Sequence, residues 1–132
     1  ASMSYRDLDV WKRGMELAEA VYRIAATLPD SERFGLAQQM RRSAVSIPSC
    51  IAEGRARLST REFARFVAMA LGSLAELETQ LMLATRLCLT AAEVDSTLQS
   101  ADELGRMLQA LRKALDRKAN LAELPPTGRP NR

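Results

Sequence analysis

Eight cations are the side chains in this sequence most suited to chemistry: Arg41, Arg42, Arg55, Arg57, Arg61 and Arg65 in one stretch, then Lys113 and Arg117. A guanidinium is planar, permanently charged and offers five N–H donors in a fork that matches phosphate. Clustered arginines therefore point to a polyanion, bound with strong salt dependence. From Arg41 to Arg65 six arginines stand against Glu53 and Glu62, a local balance of +4. Residues 66–111 reverse the sign, with six acids against Arg86 and Arg106, or −4, and residues 112–132 return to +4. The chain as a whole is mildly basic, +3 with a pI near 9.2. A second reading stays open, because helix ends are often solvated by arginine and cations near a helix C-terminus complement its dipole. No run of aromatics interleaves with the arginines, so base stacking is not expected.

Other chemistry is poorly supplied. There is no histidine, which removes the commonest general base, metal ligand and physiological pH switch together. A Ser-His-Asp triad and the Glu-x-x-His pairs of a di-iron bundle are both impossible. Cys50 and Cys88 fit no zinc spacing and read as reduced thiols of a cytoplasmic protein. Only Lys12, Lys113 and Lys118 are lysines, and no phosphate-cradling glycine loop occurs. Asp102-Glu103, Glu76 and Glu78 read as solvated acids. The expectation is a protein that is not an enzyme, with no cofactor and no metal. No signal peptide and no apolar run of membrane-spanning length is evident, so no membrane association is expected.

The cations must be carried by helices. With 132 residues, 47% apolar and only 5% aromatic, the chain suits one all-α domain. Four segments can be read. The first, about 8–27 with Asp7 as N-cap, carries two adjoining apolar seams: Leu8, Trp11, Met15, Ala18, Tyr22 and Ala25, and Val10, Gly14, Leu17, Val21, Ile24 and Leu28. Pro29-Asp30-Ser31 ends it and caps the second segment, about 32–54, which buries Leu36, Met40, Ala44, Ile47 and Ile51 and stops at Gly54. Ser59 and Glu62 form a capping box for the third, to about Leu87, whose heptad seam runs from Phe63 through Val67, Ala70, Leu74, Leu77, Leu81 and Ala84 to Cys88. Thr90 and Glu93 form another box for the fourth, to about Ala119, with Val94, Leu98, Ala101, Leu104, Leu108, Leu111 and Leu115 as its seam. Short connections predict an antiparallel up-down four-helix bundle over 7–120. Residues 1–6, with Ala1-Ser2 before Met3, read as a disordered or expression-derived N-terminus, and 121–132 as a flexible tail.

Pro48 lies within the arginine-rich segment. The second segment's apolar phase continues straight through it, which favours a continuous helix kinked at Pro48 over two helices. Ser43 or Ser46 is expected to satisfy the disrupted turn. Val45, Ser46, Ser49 and Ala52 face away from the seam and, with Pro48, could pack against another subunit or form a tolerant surface. Ala64, Ala68, Gly72, Ala75 and Thr79 make a matching small-residue row that could serve an interface or the interior.

Three runs carry a family resemblance: DLDVWKRGMELAEAVY, LPDSERFGLAQQMRRSAVSIPSCIAEGRAR and EFARFVAMALGSLAELETQLMLA. They resemble the 23S ribosomal RNA intervening-sequence protein family, most specifically in the block GLxxQxRRxxxSIPxxIAEG. The likeness spans about Asp7–Leu89, and the family's pattern has Asn where Cys50 stands. It implies a small bacterial four-helix bundle that assembles as a homopentamer, without an established biochemical activity. The related accessory variability protein of diversity-generating retroelements looks like the same bundle and binds nucleic acid with a reverse transcriptase. By that analogy the partners are RNA or DNA, a reverse transcriptase or another protein. The functional expectation is a nucleic-acid-associated homo-oligomer whose eight cations meet phosphates. The alternative is an interaction adaptor or scaffold with no direct nucleic-acid binding.

Overall fold

The structure, a computed structural model, describes residues 4–92 and 94–124. Four helices dominate it: α1 (Asp9–Ala25), α2 (Leu36–Ala56), α3 (Thr60–Arg86) and α4 (Asp95–Ala122). There is no strand among the described residues. α1 packs on α2, α2 on α3, α3 on α4 and α4 back on α1, and neither diagonal pair comes into backbone proximity. That closed square is the four-helix bundle its apolar patterning calls for. Cross-helix contacts run in opposite order along neighbours. Ser46 meets Ser73 while Gly54 meets Phe66, and Gly105 meets Leu74 while Arg61 meets Glu123.

The core is where the periodicity puts it. All five seam residues of α2 are buried, as are Val67, Ala70, Leu74, Leu77, Leu81 and Ala84 of α3. In α1 the seam from Val10 through Leu17 and Ile24 to Leu28 enters the core, joined from the other seam by Ala25, while Met15 and Tyr22 of that seam stay exposed. The seam of α4 fades toward its end, with Leu111 and Leu115 only partly buried. α3 is long and apolar enough to cross a membrane by length and hydropathy, which the sequence reading did not anticipate. A bundle's central helix meets the same criterion, because its seam must be continuously apolar.

Several local signals resolve differently from expectation. Ser4 and Asp7 form a reciprocal capping box around a 3-10 turn, Tyr5–Asp7, so order begins inside the segment read as disordered. Asp7 consequently does not cap α1, whose N-cap is Leu8. A second 3-10 turn, Asp30–Glu32, precedes α2, and Glu32 reaches forward to accept from the Leu36 N–H at 3.0 Å. Ser59 caps α3 by accepting from Glu62 N–H at 3.2 Å, but the Glu62 carboxylate turns to Arg65 instead of closing the box. Thr90 accepts from Ala92 N–H and α4 opens at Asp95; the expected partner Glu93 lies outside the described residues, as do 1–3 and 125–132 of the expected termini. α4 itself continues to Ala122, past the predicted boundary.

Gly54 does not end α2. It lies within the helix, buried, and the left-handed residue beyond it is Leu58, φ 63°. The glycine serves proximity, because a Cβ there would sit 2.6 Å from Phe66 Cβ and 3.2 Å from Phe63 Cδ1. α2 is continuous through Pro48, whose ring is buried beside Gly14 of α1. The Ser46 hydroxyl does not bond to the backbone of the turn at Pro48; it meets Ser73 of α3 at 2.8 Å and the Cys50 thiol of its own helix at 3.6 Å.

Candidate functional site

The ends of α2 and α4 and the start of α3 meet at one pole, where Arg61 pairs with Glu123. Arg57 and Arg65 both lie over the Phe66 ring, their guanidinium carbons 5.1 and 4.8 Å from the ring centroid. The phenyl ring thus orients two of the arginines, an aromatic role the sequence reading did not foresee. Each also holds a carboxylate on its own helix, Arg57 to Glu53 at 2.8 Å and Arg65 to Glu62 at 3.1 Å. The Arg65 hydrogen bond keeps the Glu62 carboxyl below its ordinary pKa, so this acid remains charged. Arg55 is half-buried and has a partner of its own. Exposed pairs of this kind are screened by solvent and contribute little, so a polyanion can take the arginines from them.

The eight candidate cations do not form one group. Arg55, Arg57, Arg61 and Arg65 share the pole, and the exposed Arg117 lies about 9 Å along α4 from Glu123 by helical rise. Arg112 approaches Asp116 at 3.9 Å on the same stretch. Arg41 and Arg42 lie about 21 Å up α2 from Arg55 by the same measure, so sequence proximity misplaced them. Arg41 donates to the Arg33 carbonyl at 3.2 Å, and Arg42 borders a cleft between α2 and α3. Lys113 lines a groove between α3 and α4 with Leu71, Leu74 and Gln109. The Glu53–Arg57 and Glu62–Arg65 pairs have the i,i+4 and i,i+3 spacing of helical ion pairs, although Glu62 was expected to close the Ser59 box. The Arg61–Glu123 contact, 62 residues apart, was not.

The interface candidates divide as well. Val45, Ser49 and Ala52 line an open groove of about 660 Å³ between α1 and α2, with Trp11, Met15 and Tyr22 on its other wall. Pro48 is largely consumed by its contact with α1, and Ser46 by Ser73. Of the small-residue row on α3, Ala64 is buried in the bundle, whereas Gly72, Ala75 and Thr79 are exposed and nothing stands within 4 Å of a Cβ built on Gly72. The row therefore begins as interior packing and ends as surface.

Cys50 is buried and Cys88 exposed, and both are free. Among the described residues no cluster of three potential metal ligands occurs.

A second acid is shifted, in the opposite direction from Glu62. Burial, followed by the charge of Asp102, raises the Glu78 carboxyl above its ordinary value of 4.5. A raised folded-state pKa means protonation favours the fold, and that contribution is lost as pH rises through it. Glu78→Gln is accordingly expected to raise stability at neutral pH, with the advantage fading as pH falls through the raised pKa and gone below about pH 4.5. Urea unfolding of both proteins across that interval checks the sign.

The sequence matches the model for the 23S rRNA-intervening sequence protein family over residues 6–110. The chain belongs to that family. The match takes in the arginines at the α2–α3 turn and stops short of Lys113 and Arg117. Among solved structures, the chain is similar to a protein of unknown function from the S23 ribosomal protein family of Bacteroides thetaiotaomicron. The two share 24% identity with a TM-score of 0.71, covering 79% of this chain and 95% of that one. At that identity the likeness is one of fold. No curated protein matches significantly.

Proposed function

We propose that this member of the intervening-sequence protein family is a non-catalytic, cytoplasmic homo-oligomer that associates with nucleic acid through its arginine pole. The observation that carries this reading is the gathering of Arg55, Arg57, Arg61 and Arg65 where α2 ends and α3 begins, with Arg117 close by on α4. The family resemblance supports a pentamer, which would present five such poles. A reverse transcriptase is a candidate partner by analogy with the retroelement protein.

Titration of labelled single-stranded RNA and duplex DNA at several salt concentrations tests the reading. Log affinity should fall linearly with log salt, by about 0.7–0.9 per phosphate neutralised. Alanine at Arg55, Arg57, Arg61 and Arg65 together should flatten that slope, whereas alanine at Arg41 and Arg42 should affect it less. Affinity indifferent to the four pole substitutions sinks the proposal. A monomer by light scattering at micromolar concentration sinks its oligomeric part.

A second reading, a protein-interaction adaptor, is favoured by the α1–α2 groove, where Met15, Tyr22 and Val45 are each more than 40% exposed. A partner retained after nuclease treatment, with no RNA or DNA bound at low salt, would select it.

A further inference from the structure

Arg42 was counted with the pole by sequence and stands apart from it in the fold. It borders a cleft of about 380 Å³ between α2 and α3 whose other polar walls include Gln39, Ser73, Glu76 and Gln80. The Ser46–Ser73 hydrogen bond closes one end of this cleft. Arg42 projects from α2 and Glu76 from α3. Both are exposed, and neither forms an ion pair with the other or with any other described residue. Gln80, which also lines the cleft, carries an Oε1 that is buried without a hydrogen-bond partner. A second shallow depression, of about 410 Å³, adjoins through Gln39, Glu76 and Gln80 and offers the apolar surface of Leu36, Gly72, Ala75 and Leu83. The surface thus has an unused cation, an unused carboxylate and an apolar shelf beside them.

A ligand that satisfies both charged groups must present a pair of donors to Glu76 and a pair of acceptors to Arg42. Among the four standard bases only guanine does so. Its N1–H and N2–H form a donor pair on the Watson–Crick edge, and O6 and N7 an acceptor pair on the adjoining edge that arginine reads in bidentate fashion. Adenine and cytosine each pair a donor with an acceptor on the Watson–Crick edge, and uracil flanks its single donor with acceptors.

We propose that the α2–α3 cleft holds a guanine base, with Glu76 accepting from N1–H and N2–H and Arg42 donating to O6 and N7. Closing the cleft with a direct Arg42–Glu76 pair is a weak competitor, since exposed pairs are worth little. The guanine can come from a free nucleotide or from a single strand also held at the pole. The second source rests on the function proposed above; the first does not.

Two arms of one experiment separate them. In the first, GMP, IMP, AMP, CMP and UMP are titrated at millimolar concentration while amide resonances of the protein are followed. GMP should shift resonances of α2 and α3 around Arg42 and Glu76. IMP, lacking the N2 amine, should bind more weakly, and the other three weaker still, by roughly 5- to 150-fold for each bidentate pair lost. Glu76→Gln should remove the preference for GMP, while Glu78→Gln, in the other groove of α3, should keep it. Unchanged amide dispersion in both variants establishes that they are folded. No shift with GMP, or equal shifts with all five nucleotides, overturns the proposal.

In the second arm, guanine-containing and guanine-free single-stranded RNAs of equal length are compared across salt. Loss of guanine preference in Glu76→Gln with an unchanged salt slope supports both the cleft and the pole. GMP binding without any RNA binding retains the cleft as a nucleotide site and removes the pole. RNA binding that follows salt but ignores guanine, with no GMP shift, removes the cleft and leaves the pole.

Discussion

Leu77→Ala is expected to lower the unfolding free energy by about 2–5 kcal/mol, against a total of about 5–15 kcal/mol for a domain of this kind. Leu77 has no exposed surface and lies midway along α3, the helix that packs on both α2 and α4. Removing its branched end leaves a void that backbones held from both sides cannot collapse into, so a cavity cost adds to the lost transfer free energy. Leu115 supplies the control. It belongs to the same kind of apolar seam, but it is only partly buried near the end of α4. Solvent can fill part of the space it vacates, and Leu115→Ala should cost less than half as much. The midpoint of urea unfolding should drop strongly for the first variant and slightly for the second, with little change in slope for either. Protein concentration must be held fixed, since association would couple to the same transition. Equal losses would mean that the bundle's centre is no more tightly packed than its end.

The contrast between those leucines shows what the sequence makes legible. Periodicity identifies a seam, and all seven central positions of α2 and α3 from Met40 to Ile51 and Leu74 to Leu81 that belong to seams are buried. It does not say how far along a helix its neighbours continue, which is why Leu111 and Leu115 look equivalent to Leu104 and Leu108 in sequence but are less covered in the fold. Two apolar seams on α1 were equally strong as patterns. Only the geometry of two neighbours chose the one containing Leu17 and left Met15 and Tyr22 facing outward.

The candidate site was harder to read, and for a different reason. Arg41 and Arg57 are close in the chain, but 16 residues of helix separate them by about 24 Å. Charge summed over a sequence window therefore merged two places, the pole and the α2–α3 cleft. Conversely Arg61 and Glu123 share no local signal, because their encounter depends on where α4 ends relative to α3. Ser46 was assigned to its own helix on the strength of Pro48 nearby, although a hydroxyl facing a neighbouring helix can bond across to it, as Ser46 does to Ser73. Within one turn the Ser59 cap was legible while the Asp7 cap and the reach of Glu62 were not, and contacts that depend on helix register were not legible at all.

Gly54 carries the same lesson to a measurable conclusion. Within a helix, alanine is ordinarily about 0.8–1 kcal/mol better than glycine, so a substitution with room for a methyl should stabilise. Gly72 has that room, since no atom lies within 4 Å of an added Cβ, and Gly72→Ala should raise stability by about that amount. Gly14 is intermediate. Its Cβ would meet Pro48 Cβ at 3.4 Å, ordinary contact, so Gly14→Ala should be near neutral or mildly stabilising. At Gly54 the added carbon would stand 2.6 Å from Phe66 Cβ, an atom anchored directly to the α3 backbone that no rotamer change can move. α2 and α3 must then separate at the turn that brings the pole arginines together. Overpacking of this kind costs about 1–3 kcal/mol and outweighs the gain in helix propensity. Thermal unfolding should therefore rank Gly72→Ala highest, Gly14→Ala next and Gly54→Ala well below the parent protein. The Gly54 variant should also weaken any salt-dependent RNA binding, because Arg57 and Arg65 are both placed by Phe66. If Gly54→Ala instead proved as stable as the parent, the glycine would be an ordinary helical residue and the close approach of α2 to Phe66 would not set the geometry of the pole.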